Sequence, residues 1–212
     1  MKIVFENNDI IAINKNAGIP SQPDLTKDKS VYDYVKYRIG TTPYILNRID
    51  RPVSGLVLFA KNKKAATFYS NIISNDRTIK TYYAIVENKP FNPEGHIETI
   101  LIKKGNKAYI SKDNPNGKNA ILDYKYIGCG KKYHYLKIKL STGRFHQIRA
   151  QLAHIGCHIK GDIKYGARRA NKDRSICLHA FKYELLTTES LNFKAEFPDS
   201  ILWKDLASYI KK

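Results

Sequence analysis

Hydrophobic and polar residues alternate over short stretches along much of the chain, with the period of two that is typical of β-strands. One run, residues 56–60, is apolar throughout and predicts a buried strand. The sequence Asp-Asn-Pro-Asn-Gly at 113–117 predicts a turn between two of the strands. The other predicted strands are 9–15, 80–86, 95–102, 107–111, 120–127, 133–140, 175–186 and 191–197.

Apolar residues at helical spacing, together with capping residues, predict four helices. Ser30 and Asp33 form a capping-box-like pair at the start of the first helix, and Gly40 closes it. Asn62 is the predicted cap of the second helix. The predicted helices span 30–40, 62–75, 145–155 and 202–210.

Neighbouring strands with helices between them favour the α+β class, with a mixed, mainly antiparallel sheet flanked by helices. No internal repeat, low-complexity tract or long linker divides the 212 residues, so we expect a single domain over 1–212. The first twenty residues lack the pattern of a signal peptide.

Lysine and arginine outnumber aspartate and glutamate by 37 to 19, which leaves a net charge of +18. Such a surplus attracts polyanions, and nucleic acid is the expected partner because neutralised phosphates release counterions. A membrane is not the expected partner, since the chain has no apolar run of about 18 residues or more. The three cysteines, Cys129, Cys157 and Cys177, are interpreted as small buried residues in a reducing cytoplasm.

The stretch from Asn47 to Gly55 places Asp50 between Arg48 and Arg51, directly before the apolar run. Asp50 therefore lies on a loop that leads into the sheet, and the flanking cations favour its ionised form. An ionised aspartate at such a place serves as a nucleophile, a base or an ordinary ion-pair partner, and the local pattern leaves these alternatives open.

This stretch resembles the signature of the RluA-type pseudouridine synthases, His-Arg-Leu-Asp, two residues, Thr-Ser-Gly. Asn47 and Val53 depart from the signature, and Ile49 replaces Leu. Four further blocks resemble the family in the same order, with departures at Asn16 and Phe145. These blocks are Asn14–Gly18, Thr81–Val86, Thr142–Arg149, and Gly161-Asp162 with Tyr165-Gly166 and Leu178–Ala180.

The resemblance implies one pseudouridine synthase catalytic domain whose sheet is split by a central RNA-binding cleft, without a separate N-terminal RNA-binding domain. It implies that Asp50 is the catalytic residue that isomerises uridine in structured RNA, either ribosomal or transfer RNA. The aspartate acts by attacking the base or the sugar, or by stabilising charge on the sugar, and the sequence leaves these routes open. We expect a cytoplasmic monomer.

The resemblance assigns two more residues to catalysis. Arg149 is expected to pair with Asp50 through its planar guanidinium, although a phosphate contact is the alternative. Tyr82 is expected to stack against the flipped base and to serve proton transfer, whereas Tyr83 on the opposite strand face is expected in the core.

The RNA contacts are expected from two groups of residues. Arg48 resembles the arginine that fills the gap left by the extruded base, and a simple loop arginine is the alternative. Arg144, which a helix beginning at Phe145 would place about 140° from Arg149, is expected on phosphate. His146 and Gln147 are also expected to contact RNA, and His146 is expected to form a hydrogen bond with the backbone near the site.

Lysines and arginines of the segment 160–174 form the densest basic cluster and are either a phosphate track or a solvated face. Its expected RNA contacts are Lys164, Arg168 and Arg169. A second basic group comprises Lys103, Lys104, Lys107 and Lys112.

We expect no metal, since Gly156 interrupts the helical spacing of His154 and His158 and no acidic residue completes a zinc motif. No cofactor is implied either, because the chain has no phosphate-binding glycine loop or dinucleotide fingerprint. Two rival functions are a non-catalytic RNA-binding or ribosome-assembly protein on the same fold, and a metal-dependent nuclease.

Overall fold

A computed structural model describes residues 1–74, 77–187 and 190–210. The helices are α1 Val31–Ile39, α2 Lys63–Ser74, α3 Gln147–His154 and α4 Ile201–Ile210, with a short 3₁₀ turn at Ile163–Tyr165. The strands are β1 Lys2–Glu6, β2 Ile10–Lys15, β3 Tyr44–Ile45, β4 Ser54–Ala60, β5 Thr78–Val86, β6 Glu94–Lys104, β7 Lys107–Ser111, β8 Lys118–Cys129, β9 His134–Leu140, β10 Leu178–Leu185 and β11 Leu191–Lys194. The predicted α+β class and every predicted element are confirmed, and Asn75, the predicted end of α2, lies outside the described residues.

Local signals set both ends of α1 and the start of α2 as predicted. The Ser30 hydroxyl accepts a hydrogen bond from the Asp33 amide while the Asp33 carboxylate accepts one from the Ser30 amide, which is a complete capping box. Gly40 closes α1 in the left-handed conformation, with φ 70°. The side chain of Asn62 caps α2 by accepting a hydrogen bond from the amide of Ala65 at 2.8 Å.

The chain forms two compact units. Unit 1 comprises Met1–Lys80 and His179–Pro198, and unit 2 comprises Thr81–Leu178 and Asp199–Lys212. In unit 1 the strand order is β1-β2-β4-β10, with β3 added on β4 and β11 on β10. The pairings are antiparallel except for β4 with β10, which is parallel.

In unit 2 the strand order is β5-β9-β8-β6-β7, and β9, β8, β6 and β7 pair in antiparallel fashion. Part of its core lies between α3 and the strands, where Leu101, Ala108 and Ala120 meet Ala150 and Tyr165. Among the described residues, no helix has the length and apolar character needed to cross a membrane.

The parallel contact of β4 with β10 leaves no room for a side chain at position 55. Gly55 has φ +116°, and a Cβ built on it would lie 2.2 Å from the carbonyl oxygen of Ala180. A side chain at this position would force the two strands apart. Close backbone approach therefore holds the strand that follows the Asp50 loop against β10.

Two expectations about helix and cysteine positions are wrong. α3 begins at Gln147 rather than at residue 145, because His146 adopts a left-handed backbone with φ 52° and ends any helical continuation toward Phe145. Cys129 is exposed, since it is the last residue of β8 beyond a register shift, whereas Cys157 and Cys177 are buried as expected.

Ser54 and His179 form a buried polar pair between β4 and β10. The Ser54 hydroxyl lies 2.8 Å from His179 Nδ1, and His179 is fully buried. Burial lowers the pKa of His179 from its ordinary 6.5 to about 3, so the imidazole is neutral at physiological pH. The pair is closed to substrate and holds the two strands together.

This pair predicts a loss of stability in mild acid. Below pH 6.5 the unfolded chain protonates His179 while the folded chain does not, so the free energy of unfolding falls as the pH falls. Between pH 7.5 and 5.0 this effect amounts to about 2 kcal/mol. Urea unfolding of the wild type and of His179→Asn at both pH values measures it. Equal pH dependence of the two proteins would contradict the assignment.

Candidate active site

The loop that carries Asp50 is fixed at both sides of the carboxylate. Ile49 is buried, its carbonyl accepts from the Ser21 hydroxyl at 2.8 Å, and its amide donates to the same hydroxyl at 3.2 Å. On the other side the amide of Val53 donates to the Asp50 carbonyl at 3.0 Å. The half-buried side chain of Asp50 thus projects from a rigid turn that leads into β4, as the sequence predicts.

A buried lysine connects this loop to the end of β2. The ammonium of Lys15 donates to three carbonyl oxygens, those of Asn16 at 3.1 Å, Ile19 at 2.8 Å and Arg51 at 3.1 Å. The Arg51 carbonyl also accepts from the amide of Gly18 at 2.8 Å. The turn after β2 and the Asp50 loop therefore share one set of hydrogen bonds, and Lys15 is at its centre.

The electrostatics of Lys15 are those of a cation taken out of water. Burial lowers its pKa from 10.5 to about 7, and the negative charge of Asp50 acts in the opposite direction. Lys15 and Asp50 are thus coupled charges on neighbouring segments. The sequence shows Lys15 as part of a family-like block, but a single lysine at the end of a strand has no local signal for burial.

The two arginines that flank Asp50 in sequence have other partners. Arg51 lies 2.7 Å from the carboxylate of Asp28 and donates at 2.7 Å to the hydroxyl of Thr26, so its side chain turns to the 24–28 loop. Arg48 is exposed and donates to Gln22 at 3.4 Å. Adjacency in sequence is a poor guide here, because both arginine side chains bind polar groups of the segment 22–28.

Asn47, which departs from the family signature, is a structural bridge. Its Nδ2 donates to the Leu56 carbonyl and to the Tyr183 hydroxyl, each at 3.1 Å, and its Oδ1 accepts from the Leu58 amide at 2.7 Å. The asparagine thus ties the entrance of the loop to β4 and β10. This replacement leaves the loop anchored.

In unit 2, Arg149 forms a buried, two-pronged ion pair. Its Nε lies 2.7 Å and its Nη2 2.8 Å from the two carboxylate oxygens of Asp162, and both side chains are at most 5% exposed. The guanidinium also lies over the ring of Tyr165, 4.9 Å from the centroid. Asp162 and Tyr165 belong to blocks that resemble the family, but the sequence gives neither of them this role. The expected pairing of Arg149 with Asp50 stays a prediction.

Tyr165 joins α3 to β7 as well. Its hydroxyl accepts from the amide of Ala108 at 2.8 Å and lies 2.9 Å from Nδ1 of His146. The ring of His146 is stacked on Phe145, with centroids 3.8 Å apart. The departure from the family at Phe145 therefore covers one face of the histidine.

Gln147 and Arg144 lie in the turn before α3. Gln147 is buried; its Oε1 accepts from the Thr142 hydroxyl and the Arg144 amide, and its Nε2 donates to the Ile121 carbonyl. Gln147 thus has an internal role, and its expected RNA contact stays a prediction. Arg144 is exposed and donates to the Asn119 carbonyl at 2.9 Å. Because Arg144 precedes α3, the predicted angle between Arg144 and Arg149 around a helix does not apply.

The remaining predicted site residues are a tyrosine of β5 and three cations of the basic cluster at 160–174. Tyr82 and Tyr83 are both buried, and burial raises the pKa of Tyr83. Lys164, Arg168 and Arg169 are exposed. Among the predicted site residues, unit 1 contains Arg48 and Asp50. Unit 2 contains Tyr82, Arg144, His146, Gln147, Arg149, Lys164, Arg168 and Arg169.

Within the described ranges, no group of three or more histidine, cysteine, aspartate or glutamate side chains could hold a metal ion. His154 ends α3, and Gly156 has φ 76°, so the helical spacing with His158 is interrupted. His158 instead lies 2.7 Å from the carbonyl oxygen of Tyr165 through Nδ1.

Comparison with known proteins confirms the resemblance. The profile of the RNA pseudouridylate synthase family matches residues 9–154, which include Lys15, Asp50, Tyr82 and Arg149. The chain belongs to this family. Its fold agrees with that of human RNA pseudouridylate synthase domain containing 4, at a TM-score of 0.81 and 20% identity over 99% of this chain and 92% of the human one.

Curated relatives carry more specific names. The chain is 30% identical to ribosomal large subunit pseudouridine synthase D of Borreliella burgdorferi over 92% of this chain and 65% of the relative. It is 32% identical to ribosomal large subunit pseudouridine synthase C of Rickettsia conorii over 77% of this chain and 56% of the relative. The chain thus spans between about half and two thirds of the length of these relatives.

Replacement of Lys15 by methionine should destabilise the protein. The substitution keeps much of the volume but leaves the carbonyl oxygens of Asn16 and Ile19 without this donor, while the Arg51 carbonyl keeps the amide of Gly18. Each lost hydrogen bond costs roughly 1 kcal/mol or more, partly offset by removing a charge from the interior. We expect the free energy of unfolding to fall by about 2 kcal/mol in urea titrations. Lys61→Met, which breaks a partly exposed ion pair with Glu6, should cost under about 1 kcal/mol. Equal losses in the two variants would contradict the central role of Lys15.

Proposed function

We propose that this protein isomerises uridine to pseudouridine in RNA, and that its substrate is large-subunit ribosomal RNA. Membership in the RNA pseudouridylate synthase family supports the reaction, and the names of the Borreliella and Rickettsia relatives support the substrate. The observation that carries the proposal is Asp50 itself, which lies inside the matched region on a loop fixed by Lys15. A net charge of +18 suits a polyanionic substrate.

The reaction breaks the bond between N1 of the base and the sugar and forms one between C5 and the same sugar carbon. The base must turn in place, the hydrogen of C5 must leave, and N1 must end protonated, with no net oxidation. An aspartate serves by bonding covalently to the base or the sugar, or by stabilising positive charge on the sugar while the base is detached. A carboxylate on a rigid loop suits each of these roles, because little reorganisation is needed as charge develops.

Access to the target requires the uridine to leave its stack, at a cost of a few kcal/mol. Arg48 is proposed to occupy the space left in the RNA. Its side chain is exposed and donates to the neutral amide of Gln22, which suits a cation that must exchange partners. Tyr82 is proposed to contact the flipped base, and its burial gives the ring a fixed orientation.

The decisive experiment is pseudouridine mapping. The protein is incubated with unmodified large-subunit ribosomal RNA, and carbodiimide adducts are located by reverse transcription. New stops at defined uridines are expected. Bound but unmodified RNA would favour a binding protein on the same fold, and metal-dependent fragments would favour a nuclease; either result overturns the proposal.

Asp50→Asn should abolish the modification. The substitution keeps the size of the side chain but removes its charge, so we expect turnover below a few per cent of wild type while RNA affinity persists. Asp113→Asn, at an exposed turn position, is the matched control and should turn over normally. Adduct mapping and filter binding measure the two properties. Appreciable turnover by Asp50→Asn would assign the chemistry to another residue.

Arg149 is tested by two variants that share one structural loss. Arg149→Lys and Asp162→Asn both break the buried pair and should each lower the free energy of unfolding by about 3 kcal/mol. If Arg149 also orients the catalytic carboxylate, Arg149→Lys should lower turnover of saturating RNA by about 100-fold and by more than Asp162→Asn does. If the two variants lose equal stability and equal turnover, the role of Arg149 is limited to its ion pair with Asp162.

A further inference from the structure

A basic pocket in unit 2 lies between the β8–β9 turn and the segment after the 3₁₀ turn. It encloses about 440 Å³, within the range of roughly 300–1,000 Å³ that is usual for small-ligand sites. Its lining residues are Glu87, Lys132, Tyr133, Lys160, Arg168 and Arg169. Four cations thus face one carboxylate around a single aromatic ring.

The carboxylate does not neutralise the arginine side chains. Both oxygens of Glu87 accept from the backbone amide of Arg168, at 3.2 and 3.1 Å. Lys132, Arg168 and Arg169 are exposed and form no ion pair with the described part of the chain. Their charges therefore remain available for an anion that enters the pocket.

Tyr133 gives the pocket a flat apolar surface. The ring is half-buried, and the ammonium of Lys160 lies 5.5 Å from its centroid. The ammonium of Lys160 also donates a hydrogen bond to the Asn171 side chain, so this cation belongs to the wall of the pocket. An aromatic ring beside unpaired cations is the combination that binds a nucleobase by stacking and its phosphates by charge.

The pocket continues beyond the ring. Lys132 and Tyr133 also line a neighbouring groove of about 750 Å³, whose other wall is α4 with Ile201, Leu202 and Tyr209. If a nucleotide stacks on Tyr133, the groove therefore has room for the neighbouring nucleotides of the same RNA strand. Inorganic phosphate or an acidic peptide would use the cations but not the ring.

We propose that this pocket binds an unpaired nucleotide of the substrate RNA, with the base on Tyr133 and the flanking phosphates on Lys132, Arg168 and Arg169. The choice of RNA rests on the proposed function, but the site involves neither Asp50 nor Arg149. It serves to hold a single-stranded segment, while the target uridine is handled elsewhere.

The test uses the full chain, a labelled single-stranded RNA of twelve nucleotides, and inorganic polyphosphate as a competitor without bases. Tyr133→Ala should weaken RNA binding about tenfold, whereas Tyr133→Phe should bind as wild type does. Polyphosphate affinity should be equal in all three proteins. Tyr37→Ala is the matched control, because Tyr37 is 91% exposed on α1 between Lys36 and Arg38 but lies outside the pocket.

The cations are tested separately through salt dependence. Replacing Arg168 and Arg169 together by alanine should flatten the slope of log K against log salt by about 1.4, at roughly 0.7 per phosphate contact on a single strand. Tyr133→Ala should leave that slope unchanged. Thermal unfolding verifies that each variant is folded.

Unchanged RNA affinity in folded Tyr133→Ala, or an equal loss of polyphosphate affinity, would overturn the nucleotide pocket. An unchanged salt slope in the double arginine variant would overturn the phosphate contacts. Because binding is measured without turnover, absence of pseudouridine formation would reject the proposed function and leave these affinities as they are.

Discussion

The buried ammonium of Lys15 is the interaction on which the Asp50 loop depends. A cation in a protein interior is costly, and this one is tolerated because three carbonyl oxygens accept its hydrogen bonds and the negative charge of Asp50 favours it. Those carbonyls belong to the turn after β2 and to Arg51, the residue next to Asp50. The hydrogen bonds of the Lys15 ammonium thus hold the turn after β2 and the Asp50 loop in one geometry. Asp50 is positioned because the carbonyl of the next residue, Arg51, binds Lys15.

Unit 2 solves a similar problem with Arg149. Its guanidinium is buried, donates hydrogen bonds to both carboxylate oxygens of Asp162 and lies over the ring of Tyr165. A buried ion pair adds little net stability against well-packed apolar residues, but it specifies orientation, because a bidentate pair has one favourable geometry. Both units therefore hold a charged side chain by a fixed polar shell, which suits chemistry that relies on preorganised charge.

The departures from the family signature have structural roles in this chain. Asn47 ties the loop entrance to β4 and β10 through three hydrogen bonds, and Phe145 stacks on His146. The ammonium of Lys103 lies over the ring of Phe145, 4.8 Å from its centroid. These contacts are compatible with membership in the family. At both positions the residue that departs from the signature has partners in this structure.

The sequence by itself determined the elements whose causes are local. The capping box of Ser30, the closing Gly40 and the apolar run of β4 are read from residues a few positions apart. The family signature likewise pointed to Asp50 as the catalytic candidate from a short motif. Tertiary structure decided the contacts of Lys15, Arg149 and Gln147, because the carbonyls and carboxylates that bind them lie up to 36 residues away along the chain. Which polar group becomes buried is settled only when distant segments meet, since the same lysine or glutamine is equally compatible with a solvated loop until partners surround it.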